Sequence, residues 1–277
     1  MAHPIPSQKD LPQFYLSLDY WQNAALSNNF KKLSWQENLT YNGGLWERYD
    51  RARVQLDRIL DHSELSEDAK IIDLGSGLSP FLFHCRQRGF KNLYALEPSE
   101  EICRFLDDQG ITTYPTLLET FITQKDLPQF DVMVLSHTLE HLIVPDVVLQ
   151  GLRDLLSNQG VLLIVVPYHD HLRPYTSGLH LHFFNEDSLA HLLTKCGYQT
   201  MFIQRDQLNA IEVVLTKTLH IIYEKKYAKK SITMKSFLEN QGLQYLHQFF
   251  WRPLKRLLRL KTNIFISTEN LYALAKR

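Results

Sequence analysis

The chain has 277 residues, 44% of them apolar and 22% charged, which is typical of a globular protein with a sizeable core and excludes a disordered or fibrous chain. It carries no net charge, but the stretch from His220 to Arg277 has twelve lysines and arginines against three glutamates, so the remainder is net acidic. The sequence contains no secretory signal, no run of eighteen apolar residues and no CxxC pair. These absences predict a cytoplasmic protein without a disulfide framework or a cysteine zinc site.

The first predicted elements are helices that precede the main domain. Residues 11–60 are rich in aromatic side chains, and the apolar residues of 45–60 form a rough helical stripe with arginines opposite. We therefore expect residues 1–62 to form a helical cap. Three aromatic residues are candidates for a lid over a bound cation, with core packing as an equal alternative: Tyr41, Trp46 and Tyr49.

Short apolar runs then alternate with helical patterns, over a predicted core of residues 63–216 and 263–277. The runs are apolar along their whole length, as expected for strands of a parallel sheet that is covered on both faces. The pattern therefore predicts a doubly wound α/β fold. The predicted strands are 70–74, 93–96, 131–135 and 161–166, and the predicted helices between them are 80–88, 100–108 and 146–156.

The segment 71–80 is typical of a buried strand that ends in a glycine turn and opens a helix. Gly75 and Gly77 let the backbone approach a ligand closely. Ser79 suits the N-cap of the helix, and Pro80 suits its first turn. A dinucleotide turn has a third glycine where this chain has Pro80, so the turn favours a phosphate-free adenosine cofactor over NAD.

An acidic residue, Glu97, follows the next strand, twenty residues beyond Gly77. A carboxylate at this position can accept hydrogen bonds from both ribose hydroxyls. It therefore supports adenosine in general, and the alternative is a solvated glutamate at a strand end.

Three segments resemble class I S-adenosylmethionine-dependent methyltransferases: Asp73–Gly77, Glu97 and Asp131–Leu142. Within that superfamily, the Leu-Glu-His-Leu stretch at 139–142 and the His-Phe-Phe-Asn stretch at 182–185 are similar to the ubiquinone/menaquinone-type and related small-molecule enzymes. The matched region is about 70–205, with Asn270–Lys276 resembling the terminal strand. The resemblance implies a Rossmann-like, mostly parallel, seven-stranded sheet whose last strand is antiparallel.

The resemblance also implies how S-adenosyl-L-methionine is held. The amino-acid part lies at the glycine turn, with Asp73, Gly75, Ser76 and Gly77, and the ribose lies after the second strand, with Glu97 and Pro98. The adenine lies at a later loop, with Leu118 and Glu119, and the sulfonium lies at the fourth strand, with Ser136 and His137. Ser79 departs from the family pattern, in which many members have a third glycine, so the fine placement of the methionine part stays open.

Methyl transfer from a sulfonium is an in-line displacement that depends mainly on alignment, and a general base helps when the acceptor is a hydroxyl or an acidic carbon. We predict His182 or His169 as this base, with a plain loop role as the alternative. The pairs His169/His171 and His180/His182 also suggest a metal. They lack a fixed ligand spacing, so we predict no metal site.

Residues 217–262 depart from the family pattern and predict a basic helical insertion before the last strand. Within it, 249–261 places leucines on one helix face and basic side chains off it. This pattern is compatible with contact to an anionic membrane surface, with covering of the substrate cleft, or with a dimer contact. The sequence indicates no particular oligomeric state, and no nucleic-acid recognition motif accompanies the charge.

These observations predict methyl transfer from S-adenosyl-L-methionine to a small-molecule, sugar or lipid-linked acceptor, at oxygen, carbon or nitrogen. One alternative is a nicotinamide-dependent oxidoreductase. The other is a non-catalytic module that keeps the cofactor pocket and docks through its basic tail.

Overall fold

The computed structural model describes the backbone of residues 44–168, 180–209 and 265–277, and the side chains of 51–168, 180–205 and 270–277. The chain divides into two compact units, and one of them contains Arg51–Arg205 and Glu269–Arg277. Most of the described residues belong to this unit. The predicted insertion 217–262 and most of the predicted cap 1–62 lie outside the described residues.

As predicted, helices and strands alternate among the described residues, except that the last two elements are both strands. The elements are α1 (Gly44–Leu60), β1 (Lys70–Leu74), α2 (Pro80–Gln87), β2 (Asn92–Leu96), α3 (Glu100–Asp108), β3 (Thr112–Tyr114), α4 (Leu118–Phe121), β4 (Phe130–Ser136), a 3₁₀ turn (Leu139–His141), α5 (Pro145–Leu155), β5 (Leu156–Pro167), α6 (Glu186–Lys195), β6 (Gln199–Asn209) and β7 (Phe265–Lys276). The strand predicted at 161–166 begins earlier, at Leu156.

The strands form one seven-stranded sheet in the order β3-β2-β1-β4-β5-β7-β6. Strands β1 to β5 pair in parallel with their neighbours, and β7 pairs antiparallel with β5, with Val161 opposite Lys276 and Pro167 opposite Asn270. The predicted mostly parallel sheet with an antiparallel last strand is therefore confirmed. The strand order reverses between β1 and β4, and in open α/β sheets ligands bind at such a switch point.

Burial explains why the central strands are apolar throughout. Every residue from Val161 to Val166 in β5 is buried, and so is every residue from Val132 to Leu135 in β4, because helices cover both faces of the sheet. Helix α1 contributes Ala52, Leu56 and Ile59 to the core, a spacing that repeats along one helix face. Among the described residues, no helix is long and apolar enough to span a bilayer.

Candidate functional site

The carboxyl ends of β1, β2, β3 and β4 meet at one edge of the sheet, because these strands are parallel neighbours. Each cofactor residue implied by the resemblance either lies in the last two residues of one of these strands, as Asp73 and Ser136 do, or follows a strand within a few residues. The structure therefore brings them to a single edge.

The glycine turn after β1 is held by backbone hydrogen bonds to β2. The N–H groups of Gly75 and Ser76 both donate to the Leu96 carbonyl, at 2.8 and 3.0 Å. Gly75 has φ +77°, and a Cβ placed on it would lie 2.5 Å from Thr138 Oγ1. Thr138 Oγ1 donates to the Leu74 carbonyl at 3.0 Å. The turn after β1 and the turn after β4 are thus in direct contact at the switch point.

Glu97 ties the glycine turn to the start of α3. Its Oε2 accepts the N–H of Gly77 and its Oε1 accepts the N–H of Ser99, both at 3.0 Å. Each carboxylate oxygen has about two acceptor positions, so each keeps one for another donor. A carboxylate held in this way can accept from two neighbouring ribose hydroxyls without releasing the backbone.

Asp73 is buried at the end of β1, and its Oδ2 accepts a hydrogen bond from Ser79 Oγ at 2.6 Å. Ser79 is the N-cap of α2, as predicted, and also accepts from the Leu82 N–H. Its φ of 42° is in the left-handed region that glycine favours. The serine therefore adopts the backbone conformation of a glycine position and adds a hydroxyl that orients Asp73.

Both carboxyl groups at this edge hold their protons more tightly than exposed acids. Burial raises the pKa of Asp73 to about 6, against the opposing hydrogen bond from Ser79. Burial also raises the pKa of Glu97 to about 7, although the N–H groups of Ser99 and Gly77 favour the ionised form. A bound cation would stabilise the carboxylates electrostatically, in place of the water lost on burial, and would therefore favour ionisation of both groups.

The end of β4 carries a contact that the sequence analysis missed. Gln55 of α1 is buried, and its side-chain amide donates to Ser136 Oγ at 2.8 Å. The next residue, His137, has φ 56° and donates its N–H to the Val165 carbonyl at 2.8 Å. Gln55 therefore positions Ser136. The available signal was a polar residue on the apolar face of a predicted helix.

The other predicted site residues differ in how far the structure describes them. Leu118, which is buried, and Glu119 begin α4 just beyond β3, and Pro98 follows Glu97. His182 lies between β5 and α6 and donates its N–H to the Glu140 carbonyl at 3.1 Å. The alternative base His169 lies outside the described residues, as does Tyr41, and the side chains of Trp46 and Tyr49 are also outside them.

A further cluster lies on the 3₁₀ turn after β4. One ligand atom each from Glu140, His141 and His180 lies within 4.8 Å of the others. Burial raises the pKa of Glu140, but His137 and His141 outweigh it and hold the value below its usual range. Burial and the charge of His141 lower the pKa of His180 to about 4. The sequence pattern indicated only the separate pairs His169/His171 and His180/His182, and nothing in it pointed to Glu140.

Comparison with known proteins is consistent with this geometry. A family model described as a methyltransferase domain matches residues 46–201, which is more than half of the chain. The match does not single out the ubiquinone/menaquinone-type group. Among curated proteins, no sequence matches this chain.

Solved structures with similar folds include three that cover most of the chain. A SAM-dependent methyltransferase from Archaeoglobus fulgidus is 14% identical with a TM-score of 0.52, covering 83% of this chain and 94% of that one. The [4+2]-cyclase SpnF is 12% identical with a TM-score of 0.54, covering 100% and 99%. Magnesium protoporphyrin IX methyltransferase from Synechocystis PCC 6803, with bound SAH, is 12% identical with a TM-score of 0.50, covering 72% and 92%. At these identities the likeness shows the fold.

Proposed function

This chain belongs to the methyltransferase domain family, and from that premise we propose that it transfers the methyl group of S-adenosyl-L-methionine to a small-molecule, sugar or lipid-linked acceptor. The observation that carries the proposal is Glu97, which is buried at the switch-point edge and accepts the N–H groups of Gly77 and Ser99. This arrangement suits a ribose beside a glycine turn that has no phosphate-binding third glycine. A small-molecule acceptor is in keeping with one neighbour of the same fold, the magnesium protoporphyrin IX methyltransferase.

In the proposed complex, Asp73 and the turn Gly75–Gly77 hold the amino-acid part, and Glu97 with Pro98 holds the ribose. Leu118 and Glu119 lie at the adenine, and Ser136 with His137 lies beside the sulfonium. The two buried carboxyl groups offset the positive charges of the cofactor's sulfonium and ammonium. The enzyme then contributes alignment and the exclusion of water, which together supply roughly 7–11 kcal/mol of a barrier in favourable cases.

Calorimetric titration with S-adenosyl-L-methionine, S-adenosyl-L-homocysteine and NAD tests the cofactor. We expect both sulfur compounds to bind and NAD to give no heat of binding, because Pro80 replaces the glycine that a pyrophosphate turn needs. Tight NAD binding with no response to the other two would establish the oxidoreductase alternative instead. Binding of the sulfur compounds without turnover of any acceptor would favour the non-catalytic module, and the [4+2]-cyclase is a reminder that this fold hosts other reactions.

We also propose His182 or His169 as the general base. His182 is tied through its backbone to Glu140 at the carboxyl edge, where an acceptor would approach the sulfonium. Replacing the active base by asparagine should lower kcat by about 100-fold, because a general base contributes about 10²- to 10⁴-fold. Steady-state kinetics of the two single variants measures this, with His191→Asn on the exposed face of α6 as the matched control. An unchanged kcat in both variants would eliminate both histidines.

A further inference from the structure

We propose that Glu140, His141 and His180 form a binding site for a divalent metal ion of the zinc type. We further infer that this ion holds a hydroxyl-bearing acceptor, an inference that rests on the function proposed above. The three side chains supply two imidazole nitrogens and a carboxylate oxygen within 4.8 Å of one another. Such a set suits Zn²⁺, and two-histidine, one-carboxylate sites usually leave positions open for substrate.

Glu140 is the observation that points to an ion. Its side chain is 1% exposed, and neither carboxylate oxygen has a hydrogen-bond partner among the described residues. The nearest imidazole nitrogens are His137 Nδ1 at 3.5 Å and His141 Nε2 at 3.9 Å from Oε1, too long for strong hydrogen bonds. A buried carboxylate is costly unless it is paired or coordinates a metal. A cation among the three side chains removes that cost.

The backbone holds the three ligands in place. The Glu140 carbonyl accepts the N–H groups of Leu181 and His182 at 2.8 and 3.1 Å, which fixes the segment that carries His180 against the 3₁₀ turn. The rings of His141 and His180 lie with centroids 4.6 Å apart and planes at 86°. Metal–ligand bonds of about 2.1 Å place ligand atoms roughly 3.5 Å apart, so the side chains need to close by about 1 Å.

The cluster of Glu140, His141 and His180 lies close in the fold to the proposed cofactor site. The 3₁₀ turn that carries Glu140 and His141 directly follows Thr138, and Thr138 donates to the Leu74 carbonyl beside Gly75. The three side chains Glu140, His141 and His180 and the glycine turn therefore lie on neighbouring turns at the carboxyl edge of the same sheet. A metal ion here is on the side of the sheet from which an acceptor would enter.

A bound metal ion lowers the pKa of an oxygen ligand and so prepares a hydroxyl for methylation. In this step the acceptor O–H bond breaks, and its proton passes to the base proposed above. An oxygen lone pair forms the new bond to the methyl carbon. The carbon–sulfur bond breaks and leaves its electron pair on sulfur, which turns the sulfonium into the thioether of S-adenosyl-L-homocysteine. The proposal thus selects oxygen as the methylated atom.

Metal titration of the full chain tests the site directly. After treatment with a chelator, we expect one equivalent of Zn²⁺ to bind by calorimetry, and one equivalent of Co²⁺ to give visible absorption bands from nitrogen and oxygen ligation. Glu140→Gln and His180→Ala should each weaken binding by at least 10-fold, the loss typical even for residues that only support metal ligands. His191→Ala, an exposed histidine on α6, should bind as the wild type does. Thermal unfolding without metal verifies that each variant is folded.

Two results would overturn the metal site: no saturable binding of either ion, or equal binding by wild type, Glu140→Gln and His180→Ala, which would place the ion on histidines elsewhere. For the acceptor role, catechol added to the Co²⁺-loaded protein should shift the visible bands without abolishing them, and unshifted bands would reject that role. Titration with S-adenosyl-L-methionine is run in parallel. Cofactor binding without metal binding rejects only this inference, whereas metal binding without cofactor binding rejects the proposed function.

Discussion

Glu97→Gln is expected to weaken the binding of S-adenosyl-L-methionine by roughly 10- to 100-fold, because one ribose hydroxyl loses its hydrogen bond to a charged group, which contributes roughly 1.5–3 kcal/mol. Both oxygens of Glu97 already accept a backbone N–H, from Gly77 and from Ser99, and their remaining acceptor positions serve the two ribose hydroxyls. Glutamine presents an N–H₂ group where one of these oxygens is needed. One backbone donor and one ribose hydroxyl then lose their acceptor. Calorimetric titration of wild type and variant measures the loss.

The matched control is Glu64→Gln. Glu64 is an exposed carboxylate in the loop before β1, at the opposite edge of the sheet. The Glu64→Gln variant should bind the cofactor as tightly as the wild type, because solvent and salt screen the effect of one distant surface charge. If Glu97→Gln also retains full affinity, Glu97 does not hold the ribose.

The raised pKa of Glu97 adds a pH dependence to this prediction. Ribose hydroxyls donate to the ionised carboxylate, so binding must displace the proton that Glu97 retains below pH about 7. The affinity should therefore rise with pH up to about 7, by up to tenfold per unit, and level off above. Glu97→Gln should lose this rise. Asp73 has a pKa of about 6, so any rise up to that pH that remains in Glu97→Gln comes from Asp73.

Gly75→Ala should reduce the free energy of unfolding by roughly 2–5 kcal/mol, the sum of a left-handed backbone cost and overpacking. Gly75 has φ +77°, and the added methyl would lie 2.5 Å from Oγ1 and 2.9 Å from Cγ2 of Thr138. Thr138 has little freedom to move away, because its side chain is β-branched and its hydroxyl is bonded to the Leu74 carbonyl. Urea denaturation measures the change, and cofactor titration should show weaker binding as the turn shifts.

Gly110→Ala separates the two causes. Gly110 has φ +73°, but the nearest side-chain atom to its added Cβ is 3.9 Å away. This variant should show the backbone cost alone, about 1–2 kcal/mol, with unchanged cofactor affinity. The double variant Gly75→Ala/Thr138→Ala should recover stability relative to the sum of its single changes, because the two Thr138 atoms closest to the added methyl are removed. Additive costs would show that Thr138 does not limit the space at Gly75.

The elements that the sequence predicted well are those with a local signal. Strand β1, the cap at Ser79 and the start of α2 at Pro80 follow from an apolar run, two glycines and a capping residue within ten positions. Strand β3 has no such signal, since its three residues, Thr112–Tyr114, are partly exposed and polar. The family resemblance implied a seven-stranded sheet but did not locate this strand in the sequence.

The contacts that the sequence did not predict depend on side chains that are distant in the chain. In the sequence, Gln55 is an ordinary polar residue of a predicted helix. Its role depends on the packing of α1 against the end of β4, which allows its amide to donate to Ser136. Thr138 limits the space for a side chain at Gly75 only because the turn after β4 packs against the turn after β1. No local pattern encodes either distance.

The sequence by itself determined the doubly wound sheet, the glycine turn and the acid that follows the second strand, because each is encoded in residues that act on their own neighbours. Only the tertiary structure decided that Glu140, His141 and His180 share one cluster. That cluster exists because the segment after β5 folds back and donates two backbone hydrogen bonds to the turn after β4. Such a contact follows from the packing of the whole sheet.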